Sequence, residues 1–243
     1  MDSSLLLFLL IVFIIGAVFL VLIGKNRNRE FRKANWIKFF SYLLILLSLV
    51  LPQFYFPLLF TVIASAIVFV GFFEIVYHLS KDHRFKERPL IFSFSLILYL
   101  ITAILFVQFS LLQEGVILYI ILVIFSFDAF CQLWGQLVGK TKLFPKVSPN
   151  KTVEGLIGGA ISAAIIAWLL HTFYALNGQL PVLSFFVIIC GALTGDLLAS
   201  KLKRMLHLKD YSNLLPGQGG FLDRFDSLLV AGALIFLIHI FIL

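Results

Sequence analysis

The 243-residue chain is 61% hydrophobic and 13% charged, about half the charged fraction usual for a soluble domain, and its mean hydropathy is strongly positive. A water-excluded soluble core is thereby ruled out as the main environment of these side chains, and a bilayer must take that part. The net charge of +7 reads as membrane topology and attraction to anionic head groups rather than as a nucleic-acid surface.

Eight apolar runs follow one another, at residues 5–24, 37–51, 55–77, 89–109, 115–138, 152–176, 180–199 and 225–243. Their length, near 20 residues rather than about 10 of alternating polarity, predicts transmembrane helices and not barrel strands. The fold class expected is all-α, a polytopic membrane protein of about eight spans. Met1–Ser4 carries no positive charge and the basic cluster comes after the first run, so that run is read as a retained helix and not a secretory signal. The second run is short and abuts Pro52, which predicts a tight hairpin at Pro52-Gln53-Phe54 into the third. Near the end of the third run Glu74 precedes His78 by one turn; the two can pair, face a cavity or snorkel. Residues 1–110 are otherwise bland, an N-terminal helical scaffold, and the chemistry is expected in residues 111–243.

All 19 Lys and Arg fall in four segments, 25–38, 81–88, 140–151 and 201–224, while the intervening loops around residues 52–53, 110–114 and 177–179 hold none. The positive-inside rule then puts both termini outside and any polar cavity on the cytosolic side. Cys131 and Cys190 lie in or beside apolar spans without metal-ligand spacing and read as packing residues.

The fifth run carries the first costly residue. Asp128 follows the apolar stretch 116–127 and must face protein or a wet cavity, as a functional group or in helix pairing. The loop 139–152 then combines four lysines, two prolines and three hydroxyl residues, a composition that can hold phosphate and equally suits an ordinary cytosolic loop. Gly155, Gly159 and Ala163, four apart, let the sixth helix approach a neighbour.

Gly195-Asp196 stands near the end of the seventh run, followed by Ser200, Lys203 and Arg204, then Lys209-Asp210. A turn, Pro216-Gly217-Gln218-Gly219-Gly220, leads to Asp223-Arg224-Phe225-Asp226, with Asp223 and Asp226 on one face if helical. Three carboxylates at a membrane mouth beside basic residues and a glycine-rich turn suggest a Mg2+ site that handles phosphate, and the lack of clustered His or Cys argues against zinc. The alternative is that Asp223 and Asp226 pair with Arg224 and nearby lysines as interface charges.

These residues resemble the phosphatidate cytidylyltransferases, or CDP-diacylglycerol synthases. That family's C-terminal signature stands here as Ser200-Lys201-Leu202-Lys203-Arg204, Lys209-Asp210, Pro216–Gly220 and Asp223-Arg224-Phe225-Asp226. A second segment is Ser148-Pro149-Asn150-Lys151-Thr152-Val153-Glu154-Gly155, with Asp128 upstream and Gly195-Asp196-Leu197 before the signature. The resemblance covers roughly residues 128–230; the first half is similar in hydropathy alone. Gln218 stands where the family usually has His, Ala199 where Glu is common, and Ala129 and Gln132 where Thr and an aromatic are usual. Glutamine cannot exchange a proton near neutral pH, so any acid–base role of that His is absent or relocated.

The resemblance implies transfer of CMP from CTP to phosphatidate or a similar lipid phosphate, giving CDP-diacylglycerol and pyrophosphate, in a bacterial-type inner membrane with the site facing the cytoplasm. It implies catalytic roles for Asp196, Asp223, Asp226 and Asp128, with Asp196 and Asp223 holding Mg2+ alone or with a second cation. Substrate contacts are implied for Ser148, Pro149, Lys151, Ser200, Lys203, Arg204, Lys209, Gln218 and Arg224. The partners implied are CTP, the lipid phosphate and membrane lipids; nucleic acid is not among them, and the resemblance leans towards a homodimer. The rival readings are a CTP-dependent kinase of a polyprenol-type alcohol, a catalytically inactive relative, which Gln218 favours, and a transporter using Asp128 and Glu74.

Overall fold

A computed structural model describes residues 3–25, 27–81, 89–174, 183–212 and 219–242. Without water to satisfy backbone amides, an apolar segment must pair them internally, and the eight runs do so as helices. These are α1 (Ser3–Gly24), α2 (Arg29–Tyr55), α3 (Pro57–Lys81), α4 (Pro89–Phe109), α5 (Glu114–Val138), α6 (Val153–Tyr174), α7 (Leu183–Met205) and α8 (Leu222–Ile242). All eight are long and apolar enough to cross a membrane, and the chain is an all-α polytopic membrane protein. Between α5 and α6 lies a small antiparallel hairpin of β1 (Lys142–Phe144) and β2 (Ser148–Thr152), in the segment read from sequence as a loop; it pairs Lys142 with Thr152 and Phe144 with Ser148 across an irregular register.

The second helix departs from expectation. It starts in the basic segment, where the Asn28 side chain accepts a hydrogen bond from the Phe31 amide at 2.9 Å, and it runs 27 residues with Pro52 inside its last turns. No hairpin forms at Pro52-Gln53-Phe54. Proline within a helix forgoes one bond and its ring crowds the carbonyl four residues back, here that of Ser48, but in lipid the amides that follow it have no better partner than the helix. The Phe56 amide still donates to the Pro52 carbonyl at 2.9 Å, and Phe56 alone links α2 to α3, whose first residue, Pro57, suits that position.

The core is built on α5. Residues 116–125 are buried without a break, and α1, α2, α6, α7 and α8 all pack against this helix. Two close pairings frame the site. A Cβ on Gly155 would sit 2.7 Å from the Cys131 carbonyl oxygen and one on Gly159 would strike the Cys131 thiol, so α6 lies against α5 through the stripe seen in the sequence. A Cβ on Gly191 would lie 2.8 Å from the Ala231 Cα, and one on Gly195 would strike the Asp226 carbonyl oxygen, so α7 lies equally close to α8. α4 and α3 complete the packing around α8.

Candidate active site

The hairpin and the ends of α3, α5, α6, α7 and α8 meet at one end of the bundle. Glu154, in the first turn of α6, accepts from the Lys140 amide at 3.0 Å and the Thr141 amide at 3.1 Å, which fastens the start of the hairpin to α6. The Thr152 hydroxyl oxygen accepts from the Gly155 amide at 3.1 Å and caps that helix. Arg204, in the last turn of α7, donates from Nε to the Val147 carbonyl at 3.2 Å and from a terminal nitrogen to the Leu208 carbonyl at 2.9 Å, tying the hairpin to α7.

So held, the hairpin delivers Lys151 to Asp196, with which it forms an ion pair; the Ser200 hydroxyl donates to the other oxygen of the same carboxylate at 3.1 Å. Burial works to lower the Lys151 pKa, but Asp196, Asp128 and Asp226 around it outweigh that and hold the ammonium above the usual lysine range. Asp128 comes from α5 and stands beside Ser227, within electrostatic reach of Asp196, Lys151 and Arg224. Asp226, buried on α8, accepts from the Ser227 amide at 2.7 Å and lies within reach of Asp196, Asp128, Lys203 and Arg224.

Asp223 is the most heavily engaged member. One oxygen takes an ion pair from Lys203; the other accepts from the Tyr211 amide at 3.0 Å and the Gly220 amide at 2.8 Å. Lys203 ends α7 and Asp223 begins α8, so each charge also complements the dipole of its own helix. The two N–H donors saturate one oxygen of Asp223, which leaves the Lys203-bound oxygen as its route to any further cation. Gly219, at φ +87°, supplies the left-handed turn before α8. The Nε of Arg224 is buried with no acceptor among the described residues.

Asp128, Asp196, Asp223, Asp226, Lys151, Lys203, Arg224 and Ser200 therefore converge. Arg204 spends two of its donors on carbonyls, Ser148 and Pro149 lie on β2 with Pro149 exposed, and Lys209 is exposed on the turn after α7. Gln218, with Pro216 and Gly217, lies outside the described residues. Ala199, at a position where the resembled family often has Glu, presents its carbonyl to the Tyr211 hydroxyl at 3.4 Å.

Sequence reasoning left Glu74 undecided among pairing with His78, a cavity and snorkelling. Buried on α3, it accepts from the Ser212 hydroxyl at 2.6 Å, the Phe221 amide at 2.9 Å and the Leu222 amide at 2.8 Å. His78 instead donates from Nε2 to the Tyr211 carbonyl. The available signal was a carboxylate near the end of an otherwise apolar span; its partners lie about 140 residues away in sequence and carry no mark of their own.

Four carboxylates with oxygen-only chemistry, set against lysines and an arginine, fit a hard divalent cation in kind. Among the described residues no three His, Cys, Asp or Glu form a ready-made metal cage.

Comparison with known proteins identifies the family. Residues 3–242 match the family model described as the cytidylyltransferase family. The chain belongs to the cytidylyltransferase family. It is 31% identical to a phosphatidate cytidylyltransferase of Staphylococcus haemolyticus over 92% of this chain and 90% of that one. It is 33% identical to one of Staphylococcus saprophyticus over 82% and 80% of the two chains. A Bacillus subtilis phosphatidate cytidylyltransferase reaches 44% identity over 51% of this chain and 48% of its own length. As a member of this family the chain is a nucleotidyltransferase embedded in the membrane.

Proposed function

We propose that the chain transfers CMP from CTP to phosphatidate, giving CDP-diacylglycerol and pyrophosphate, with its site open to the cytoplasm. The observation that carries this reading is the convergence of Lys151 on the hairpin, Asp196 on α7 and Asp223 and Asp226 on α8 into one cluster of carboxylates and cations. The relatives' shared name supplies the reaction, and the segregation of basic residues to one side of the membrane supports the orientation.

In this reaction a phosphate oxygen of phosphatidate bonds to the α-phosphorus of CTP, the bond to the β-phosphate oxygen breaks, and pyrophosphate leaves with that electron pair. Both reactants are anions, so the cationic side chains must offset their repulsion and align the attack. Lys151, kept charged by Asp196, is one such cation; Arg224 offers a buried N–H that still needs an acceptor, as a phosphate oxygen would provide. Asp196 and the Lys203-bound oxygen of Asp223 would hold Mg2+, with Asp226 and Asp128 in support. When bound, the ion would neutralise phosphate charge and steady the departing pyrophosphate. Ser200 holds the Asp196 carboxylate and Lys203 that of Asp223, so both serve by orienting an acid.

A homodimer would need a surface other than the Gly155/Gly159 face, which α5 occupies. The test is incorporation of label from α-labelled CTP into lipid by purified protein with phosphatidate and Mg2+. Asp196→Asn and Asp223→Asn are expected to abolish incorporation; undiminished turnover in both would remove the metal assignment. Label entering lipid from the γ-phosphate instead would mark a lipid-alcohol kinase.

A further inference from the structure

The start of α8 is held by two carboxylates, and one of them comes from the far half of the chain. Asp223 takes the Gly220 amide, and Glu74 takes the next two, Phe221 and Leu222. Across from them, Asp223 takes the Tyr211 amide, Glu74 takes the Ser212 hydroxyl, and His78, one turn along α3 from Glu74, takes the Tyr211 carbonyl. The two acids thus interleave over the same two stretches of chain, 211–212 and 220–222. Gly71 lies one turn before Glu74, and a Cβ there would stand 2.5 Å from the Tyr99 hydroxyl oxygen and 3.1 Å from the Leu222 side chain, so both α4 and the start of α8 come close to α3 at this turn.

We propose that Glu74, seconded by His78, is a positioning residue for the CMP transfer proposed above: from α3 it fixes the first turn of α8 and thereby the placement of Asp223 and Asp226. The N–H groups opening a helix have no partner within it, and here the Leu222 amide is buried and the Phe221 amide partly so. Remove the Glu74 oxygens and Phe221 and Leu222 must find other acceptors, which they can do only by shifting the turn that carries Asp223. A displacement of about 1 Å in a reacting constellation can cost on the order of 100-fold in rate. Glu74 touches no reacting atom in this account, and its effect is exerted through Asp223.

The test pairs Glu74→Gln with His78→Ala in detergent-purified full-length protein, reading steady-state kinetics, thermal midpoint and amide hydrogen exchange. Gln keeps the length and one acceptor oxygen but turns a donor towards the amides, so E74Q is expected to lower kcat by about 10- to 100-fold. KM for CTP and the thermal midpoint should stay near wild type, and faster exchange should be confined to residues 219–226. H78A is expected to give the same signature more weakly. Unchanged kcat and exchange in E74Q would overturn the proposal, as would a collapse of kcat, KM and thermal midpoint together with faster exchange throughout. If wild-type protein makes no labelled lipid, the CMP-transfer reading falls by itself. Exchange in E74Q then decides alone: faster only at 219–226 supports the clamp, and unchanged overturns it.

Discussion

Lys151 shows how a single side chain can be committed by its surroundings. Its folded pKa is raised above the ordinary lysine value, so the attraction to Asp196 is fully present below the unfolded value of about 10.4 and is lost only as pH climbs through the higher folded one. No ionisation of Lys151 should therefore shape activity between about pH 6 and about pH 9. Lys151→Met is expected to lower turnover by about 100-fold while leaving the shape of the pH–rate profile in that window unchanged; a wild-type alkaline limb that vanishes in the variant would contradict this. Asp223 has a double duty that the sequence did not disclose. It was legible as a candidate acid from its spacing to Asp226, but its service to the Tyr211 and Gly220 amides depends on a turn whose partners only the folded chain brings near.

At the scale of elements, the close helix pairs were partly written in the small residues. The Gly155/Gly159 spacing foretold a close approach, and α5 is the neighbour that uses it. Gly159→Val must push α6 off Cys131, whose backbone as well as its thiol is in the way, and overpacking of this kind costs about 1–3 kcal/mol. The expected result is a thermal midpoint lower by several degrees, with loss of activity because the hairpin bearing Lys151 hangs from α6. Gly16→Ala meets only the edge of the Phe39 ring, at 3.1 Å, and should change the midpoint little. Equal midpoints for the two variants would show that the α5–α6 contact is not the tight one. The misreading of α2 has a physical source: Pro52 is a strong stop signal in water, but in lipid the helix continues past it to Tyr55 because exposed amides have no alternative partner.

Over the whole molecule, the number of spans was readable, because transfer from water to hydrocarbon sets both length and polarity, whereas α2, α3 and α7 run on past their apolar stretches into basic segments, to Arg29, Lys81 and Met205. Which helix stands at the centre was not. Buried α5 and the much more exposed α4 are both strongly apolar, since lipid and protein interior select the same side chains. The candidate site was legible where charge in an apolar setting gave it away, at Asp128, Asp196, Asp223 and Asp226. It was opaque where neutral backbone groups did the binding, as in the Glu74 contacts that join the N-terminal half to α8. The positive-inside pattern makes a separate prediction at this scale. A thiol-reactive, membrane-impermeant label added to intact cells should miss a cysteine placed at Lys142, on the hairpin, and reach one placed at Leu111, at the opposite end; the reverse pattern would invert the orientation.

Whether the converged carboxylates and cations move CMP onto a lipid phosphate is decided by giving the purified protein phosphatidate, Mg2+ and CTP labelled at the α-phosphate, beside Asp196→Asn protein of unchanged thermal midpoint. Labelled CDP-diacylglycerol is expected with wild type and none with the variant. No labelled lipid from well-folded wild-type protein, or equal labelling by the variant, would contradict that chemistry.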